Sequence, residues 1–161
     1  MWDFNADDLL ETTSLQDSYL AGLIDGEGTV CLFKSKTIDK GCITPRVRPI
    51  LAIYNSHSGV LAWVFERYGG RMDPVKRAKI DHKPCYVWVT GYQHAARILR
   101  RCMPYLIIKK EQARLFIEYC ETCKRRGSSV MPAHIRSRRD EIVKEVIFLN
   151  KRGASDAMDT G

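Results

Sequence analysis

Apolar positions along this chain switch between a helical and an alternating period, and the switches mark out nine elements. Ser14 reads as a helix N-cap, with Asp17 three residues on completing a pattern like a capping box. That helix runs over about 15–25 and ends near Gly26 and Gly28. Val30 and Leu32 then alternate with Cys31 and Phe33, so a strand follows and enters the polar loop K-S-K-T-I-D-K-G. A second strand, 46–54, puts Val47, Leu51 and Ile53 on one parity and Arg46, Arg48, Ile50 and Ala52 on the other. Pro49 lies on the apolar parity and predicts an edge or a bulge. Asn55 and Ser56 open a helix to about Arg67, with Val60, Leu61, Val64, Phe65 and Tyr68 as its stripe and Gly69-Gly70 as its stop. A basic strand region (R-M-D-P-V-K-R-A-K-I), a turn at 81–84 and the strand C-Y-V-W-V-T come next. Alternation in that strand separates Val87 and Val89 from Tyr86, Trp88 and Thr90. Three more helices follow, over about 92–103, 109–124 and 132–150.

The order α-β-β-α-β-β-α-α-α, without an internal repeat, predicts an α+β domain built on a four-stranded antiparallel sheet, with extra C-terminal helices. We expect an acidic N-terminal extension at 1–13, a single domain at 14–150 and a flexible tail at 151–161. One sheet face packs on helices. The other is expected to carry Arg46, Arg48, Tyr86 and Trp88, a mixture of Arg and aromatics that suits a nucleic-acid groove.

Charge sharpens that expectation. Residues 1–27 hold seven acids and no Lys or Arg, whereas residues 28–110 hold sixteen bases and four acids, a net of +12. Such a distribution fits a localised polyanion-binding surface, and on composition alone it fits a solvated charged face equally well. The apolar runs fall short of the ~20 residues of a membrane span, and the acidic start does not resemble a signal peptide. The expected state is soluble and intracellular, with no membrane partner. Six cysteines are then expected as thiols. Cys120 and Cys123 form one C-x-x-C, and a structural zinc would want a second pair or well-spaced histidines.

Residues 18–28 read S-Y-L-A-G-L-I-D-G-E-G. Ala21, Gly22, Asp25 and Gly26 place small residues on one helical face. Glycine within a helix costs ~1 kcal/mol relative to alanine and is tolerated where another backbone approaches closely. A second copy of the same helix would be such a neighbour. Tyr19, Leu20, Leu23 and Ile24 are expected to face the chain's own core. The close-packed face ends in Asp25 and Glu27, and a two-fold axis would bring two Glu27 carboxylates together.

The stretch L-A-G-L-I-D-G-E-G resembles the signature of the LAGLIDADG homing endonucleases, with Glu27 where Asp is more familiar. The motif occurs once. The resemblance therefore implies a homodimer, interfaced through Ala21, Gly22, Asp25 and Gly26, whose two sheets form a saddle on a long pseudo-palindromic double-stranded DNA site. It implies metal-dependent double-strand cleavage, with Glu27 as metal ligand and Gly26 beside it in the metal site. Hard oxygen ligands suit Mg²⁺, with Mn²⁺ able to substitute. P-Y-L-I-I-K-K-E-Q-A resembles a family segment whose lysine stands beside the active-site solvent, and Lys109 matches that lysine. Asn55 corresponds to a polar residue that holds water there. The family's basic residue early in the following helix has no match in H-S-G-V-L-A-W. For DNA contact we expect Ser35 and Thr37, Arg46 and Arg48, one of Lys76 and Arg77, and Tyr86 with Trp88. Relatives of this kind also include RNA-splicing cofactors and non-cleaving DNA-binding regulators. Both readings are weakened here by the presence of Glu27. A bare dimerisation domain would not account for the basic middle segment.

Overall fold

Thr13, not Ser14, starts the first helix. Its side chain accepts a hydrogen bond from the Gln16 amide, and the Gln16 side-chain oxygen accepts one from the Thr13 amide, closing a capping box. In this computed structural model, which describes residues 12–36, 46–76, 83–123 and 131–155, five helices and four strands follow in the expected order. They are α1 (Ser14–Glu27), β1 (Gly28–Lys34), β2 (Val47–Asn55), α2 (Ser58–Tyr68), β3 (Arg71–Pro74), β4 (Tyr86–Gly91), α3 (Tyr92–Cys102), α4 (Lys110–Thr122) and α5 (Ala133–Ser155). Helix α5 thus continues five residues into the segment expected as tail. No helix among the described residues is long and apolar enough to cross a membrane.

The strands form one antiparallel sheet in the order β1-β2-β4-β3. Helices cover one face, and the core lies between. Leu20 and Ile24 of α1, Leu51 and Ile53 of β2, Leu61 of α2, Leu99 of α3 and Phe116 of α4 are fully buried there. Pro49 sits on a central strand, yet β4 pairs with β2 only from Ile50 onward, so Pro49 faces β1 alone. Its missing N–H falls where one neighbour has already left the sheet, the local edge that a strand proline needs. At that exit a Cβ on Gly91 would lie 2.6 Å from the Pro49 carbonyl oxygen, so only glycine allows the approach.

Register overturns one expectation. Ile53 lies opposite Trp88 and Leu51 opposite Thr90, so Tyr86, Trp88 and Thr90 share the helix-covered face. Trp88 is fully buried, and Tyr86 packs against the core. Neither stands on the open face; Val87 and Val89 do. The Trp88 indole N–H donates to the Gly69 carbonyl at 2.7 Å. Gly70, at φ +93°, passes so near that a Cβ would meet the indole nitrogen at 2.8 Å. Trp88→Phe is expected to cost about 1–3 kcal/mol by leaving that carbonyl unpaired. A urea midpoint would report it.

Asp17 does not cap α1 from the first turn. It is 6% exposed and accepts hydrogen bonds from the Thr12 hydroxyl (2.9 Å), the Tyr68 hydroxyl (3.0 Å) and the Arg101 guanidinium (3.1 Å). One carboxylate thereby pins α1 to the ends of α2 and α3.

Candidate nucleic-acid interface and metal-binding carboxylate

Helix α1 delivers Asp25 and Glu27 to the base of β1, and the two acids differ in what holds them. The Asp25 carboxylate accepts three backbone amides, from Ile107 (2.8 Å), Ile108 (3.2 Å) and Lys109 (2.9 Å). These precede α4, whose N-cap residue, Lys109, makes no capping bond with its own side chain. Asp25 therefore satisfies amides that the start of α4 would otherwise leave unpaired. The Asp25 side chain, expected at an interface with a second copy, is bonded within the chain. Sequence reading could not find this contact, because 82 to 84 residues separate the partners.

Lys109 is drawn in by the same contact. Its ammonium donates to the Asp25 carbonyl oxygen. Burial favours the neutral amine and lowers the pKa, while Asp25 and Glu27 pull the other way. The Glu27 side chain is exposed and makes no hydrogen bond with another described residue. A hard, available carboxylate thus stands within the electrostatic reach of a partly desolvated lysine. Among the described residues no group of three or more His, Cys, Asp or Glu side chains could hold a metal ion. Asn55 ends β2 at the same side of the sheet, pairing with Tyr86. Its side-chain oxygen accepts the His57 amide at 2.8 Å, setting the turn into α2.

The outer face of α1 also departs from expectation. Asp17, Leu20, Ala21 and Ile24 form the buried stripe, so Ala21 belongs to the core and not to the free face. Leu15 and Tyr19 project outward, 80% and 51% exposed, and Tyr19 meets Trp63 edge-on with ring centres 5.0 Å apart. Gly22 and Gly26 share this outer stripe, and a Cβ built on either meets nothing within 4 Å. Ile107 and Ile108, tied to the end of α1 through Asp25, leave their side chains 86% and 68% exposed. A large apolar surface is thus uncovered in a single copy.

On the open sheet face stand Thr29 and Phe33 of β1, Arg48 and Tyr54 of β2 and Arg71 of β3, all exposed, around half-buried Ile50, Val87 and Val89. Arg48 lies where its parity placed it. Arg46, exposed, and Ser35, half-buried, meet where the β1–β2 connection closes, the Ser35 amide donating to the Arg46 carbonyl at 2.8 Å. Strand β3 ends at Pro74, so exposed Lys76 lies beyond it. Thr37 and Arg77 fall outside the described residues. Phe33, Tyr54 and Arg71 were not anticipated. The Gly69-Gly70 stop could have flagged Arg71 as the first residue of a strand. A cavity of about 390 Å³ opens between Arg48 and Arg71, with Ile50, Val89, Gly91 and Tyr92 in its lining.

No protein-family model and no curated protein matches the chain. Solved structures do. The homing endonuclease I-CvuI, in complex with its target in the presence of 2 mM Ca, matches with a TM-score of 0.66 and 18% identity over 84% of this chain and 82% of that one. The archaeal intron-encoded homing endonuclease I-Vdi141I, complexed with DNA, matches with a TM-score of 0.65 and 20% identity, covering 84% of each chain. The LAGLIDADG homing endonuclease I-GzeII, in complex with a DNA target, gives 0.57 and 18%, covering 83% of this chain and 43% of that one. The chain has the LAGLIDADG homing-endonuclease fold.

Proposed function

We propose that this chain is the subunit of a homodimeric, divalent-metal-dependent endonuclease that cuts both strands of a long pseudo-palindromic DNA site. The observation that carries the reading is the contrast between the two motif acids. Asp25 is spent on the start of α4, while Glu27 is left exposed, unbonded and beside Lys109. Structure maintenance accounts for the first acid and leaves the second without a role. The solved structures of the same fold are homing endonucleases bound to DNA, which supports the substrate class.

Two copies related by a two-fold axis through the outer stripe of α1 would bring two Glu27 carboxylates together. With phosphate oxygens of the DNA, they would offer Mg²⁺ or Mn²⁺ the hard ligands that one copy lacks. Such an ion activates water and stabilises charge on the leaving oxygen. Lys109 supplies positive charge near the phosphate, and the Asp25 contact keeps it there. Arg48 and Arg71 face the groove, and Arg46 lies at the rim.

The test is incubation of the protein with a randomised pseudo-palindromic duplex library, with Mg²⁺ and with EDTA. Discrete double-strand cuts that need the metal are expected. Selective binding without cutting would reduce the protein to a binding module.

The dimer has its own test. No described residue lies within 4 Å of a Cβ built at Gly22, so Gly22→Leu should fold as well as the parent or slightly better. Overpacking a helix contact costs ~1–3 kcal/mol and acts twice across a two-fold axis, so dimer affinity should fall about 100-fold or more. Sedimentation would show a monomer with unchanged helical circular dichroism, and cleavage should be lost with the dimer. A variant that stays dimeric would place the interface elsewhere.

A further inference from the structure

Cys120 and Cys123 form a motif to which the endonuclease reading gives no role, and the fold ties each of them to another element. They end α4, where the Cys123 amide donates to the Cys120 carbonyl at 3.0 Å. Neither sulfur is bridged; Cys120 is fully buried and Cys123 half-buried. The Cys120 thiol donates to the Tyr92 carbonyl at 3.5 Å, and the Gln93 side-chain amide donates to the Cys120 carbonyl. Tyr92 is the one non-glycine residue of positive φ among the described residues, at +52°. A bulky residue keeps that backbone conformation only where its surroundings enforce it. Cys120 therefore clamps the strained corner between β4 and α3. Gly91, Tyr92 and Gln93 of the same corner line the cavity that opens between Arg48 and Arg71. Cys123 is held from α5. Arg139 donates to its sulfur at 3.3 Å, to the Thr122 hydroxyl at 2.7 Å and to the Thr122 carbonyl at 2.6 Å.

Helical geometry sets Cα atoms three residues apart at about 5 Å, inside the roughly 4.4–6.8 Å that a disulfide spans. Their Cβ atoms lie about 5–6 Å apart in a helix, whereas a disulfide needs roughly 3.5–4.5 Å. The bond closes only if the last turn of α4 shifts, and that turn carries the contact to Tyr92. A half-buried sulfur beside a fixed cation, as at Cys123, is the setting in which a cysteine exchanges with other disulfides. Burial, and after it the neighbouring Cys123, push the Cys120 thiol up, so Cys120 reacts only as the turn opens.

We propose that Cys120 and Cys123 form a reversible thiol–disulfide site, oxidised by a small-molecule disulfide, whose closure releases the β4–α3 corner. Cys123 gives up its proton and attacks one sulfur of the small disulfide. That S–S bond breaks, and one thiolate leaves with the bonding pair and takes up a proton. Cys120 then loses its proton, attacks the Cys123 sulfur and expels the second thiolate, which is protonated in turn. Two protein thiols are oxidised by two electrons, and one small disulfide is reduced to two thiols. The Cys120 sulfur no longer donates to the Tyr92 carbonyl. Closure of the bond does not depend on the endonuclease reading; its effect on DNA does.

The experiment treats the full-length protein with oxidised glutathione and, in parallel, with dithiothreitol. Peptide mass spectrometry maps the bridges, hydrogen exchange reads residues 88–96, and a gel shift reads affinity for duplex DNA. A bond between Cys120 and Cys123 that dithiothreitol reverses is expected. Exchange over 88–96 should quicken about 10-fold, and duplex affinity should fall about 10-fold. Cys123→Ser should match the reduced parent in both and no longer respond to the oxidant. Cys120→Ala removes the contact to Tyr92 without closing a disulfide, so its exchange over 88–96 should be fast with and without oxidant.

A lasting mixed disulfide between Cys123 and glutathione would overturn the proposal. So would a bridge that draws in Cys31, Cys42, Cys85 or Cys102. A bond between Cys120 and Cys123 that leaves exchange over 88–96 unchanged would overturn it too, since the corner would then be independent of the thiols. Should the reduced protein bind no duplex, the endonuclease reading falls, and the exchange measurement alone decides this one.

Discussion

Glu27→Gln is expected to abolish DNA cleavage while leaving fold and DNA affinity in place. The Glu27 side chain makes no hydrogen bond with another described residue, so the neutral amide breaks no hydrogen bond of the folded chain and removes only its charge beside Lys109. It removes a negative charge from the surface proposed to face the DNA, so binding should hold or tighten. On the proposed reading, it takes away the carboxylate that each copy would bring to a shared metal ion. The loss in cleavage rate should be at least about 10³-fold, the scale on which a preorganised charge acts in a transition state. Conversion of a plasmid carrying the selected site to linear product measures the first quantity, and a gel-shift titration the second. A variant that still cuts at a tenth of the parental rate would show that Glu27 is not the ligand. Asp25→Asn should behave differently. It weakens the contacts that start α4, so stability and the placement of Lys109 should suffer together.

Asp17→Ala is expected to destabilise the fold by about 3 kcal/mol, near the lower end of the cost of breaking a buried pair. The lower end applies because the partner, Arg101, is about one-third exposed and can recover some water. The Tyr68 hydroxyl cannot, since that residue is fully buried. Its pKa is already raised, first by burial and then by the Asp17 carboxylate, so the neutral hydroxyl donates over the whole accessible pH range. A change of this size is a large part of the stability of a single domain. Urea denaturation would read it directly. If the buried hydroxyl left without an acceptor is the main cost, Asp17→Ala combined with Tyr68→Phe should recover part of the loss. Because Asp17 joins α1 to α2 and α3, the same variant should loosen the helix that carries Glu27, and cleavage should fall with stability.

The chain's own periodicity sufficed for some features. All five helices and the sheet were legible because helical stripes and strand alternation are local properties, visible wherever polar and apolar residues contrast. Strand β2 is the clearest case, with Arg48 on one parity and Val47, Leu51 and Ile53 on the other. The candidate chemistry was legible too, since Gly22, Gly26 and Glu27 lie within one short helix whose exposed glycines have no local justification. Where contrast was missing, the reading failed. Tyr-Val-Trp-Val-Thr has no polar side, so only its register against β2 could send Tyr86 and Trp88 to the core and Val87 and Val89 to the open face. Sidedness within α1 likewise depended on docking, which buried Ala21 and left Tyr19 outside. The roles of Asp17 and Asp25 were decided in the same way. Each of the two is a charged oxygen whose meaning is its partner, supplied by Tyr68 and Arg101 or by the amides before α4. By itself the sequence determined which charged groups the chain carries and on which elements they lie. Folding decided which of those groups remain available, because a hydrogen bond made across the fold uses up an acid that local pattern cannot distinguish from a free one.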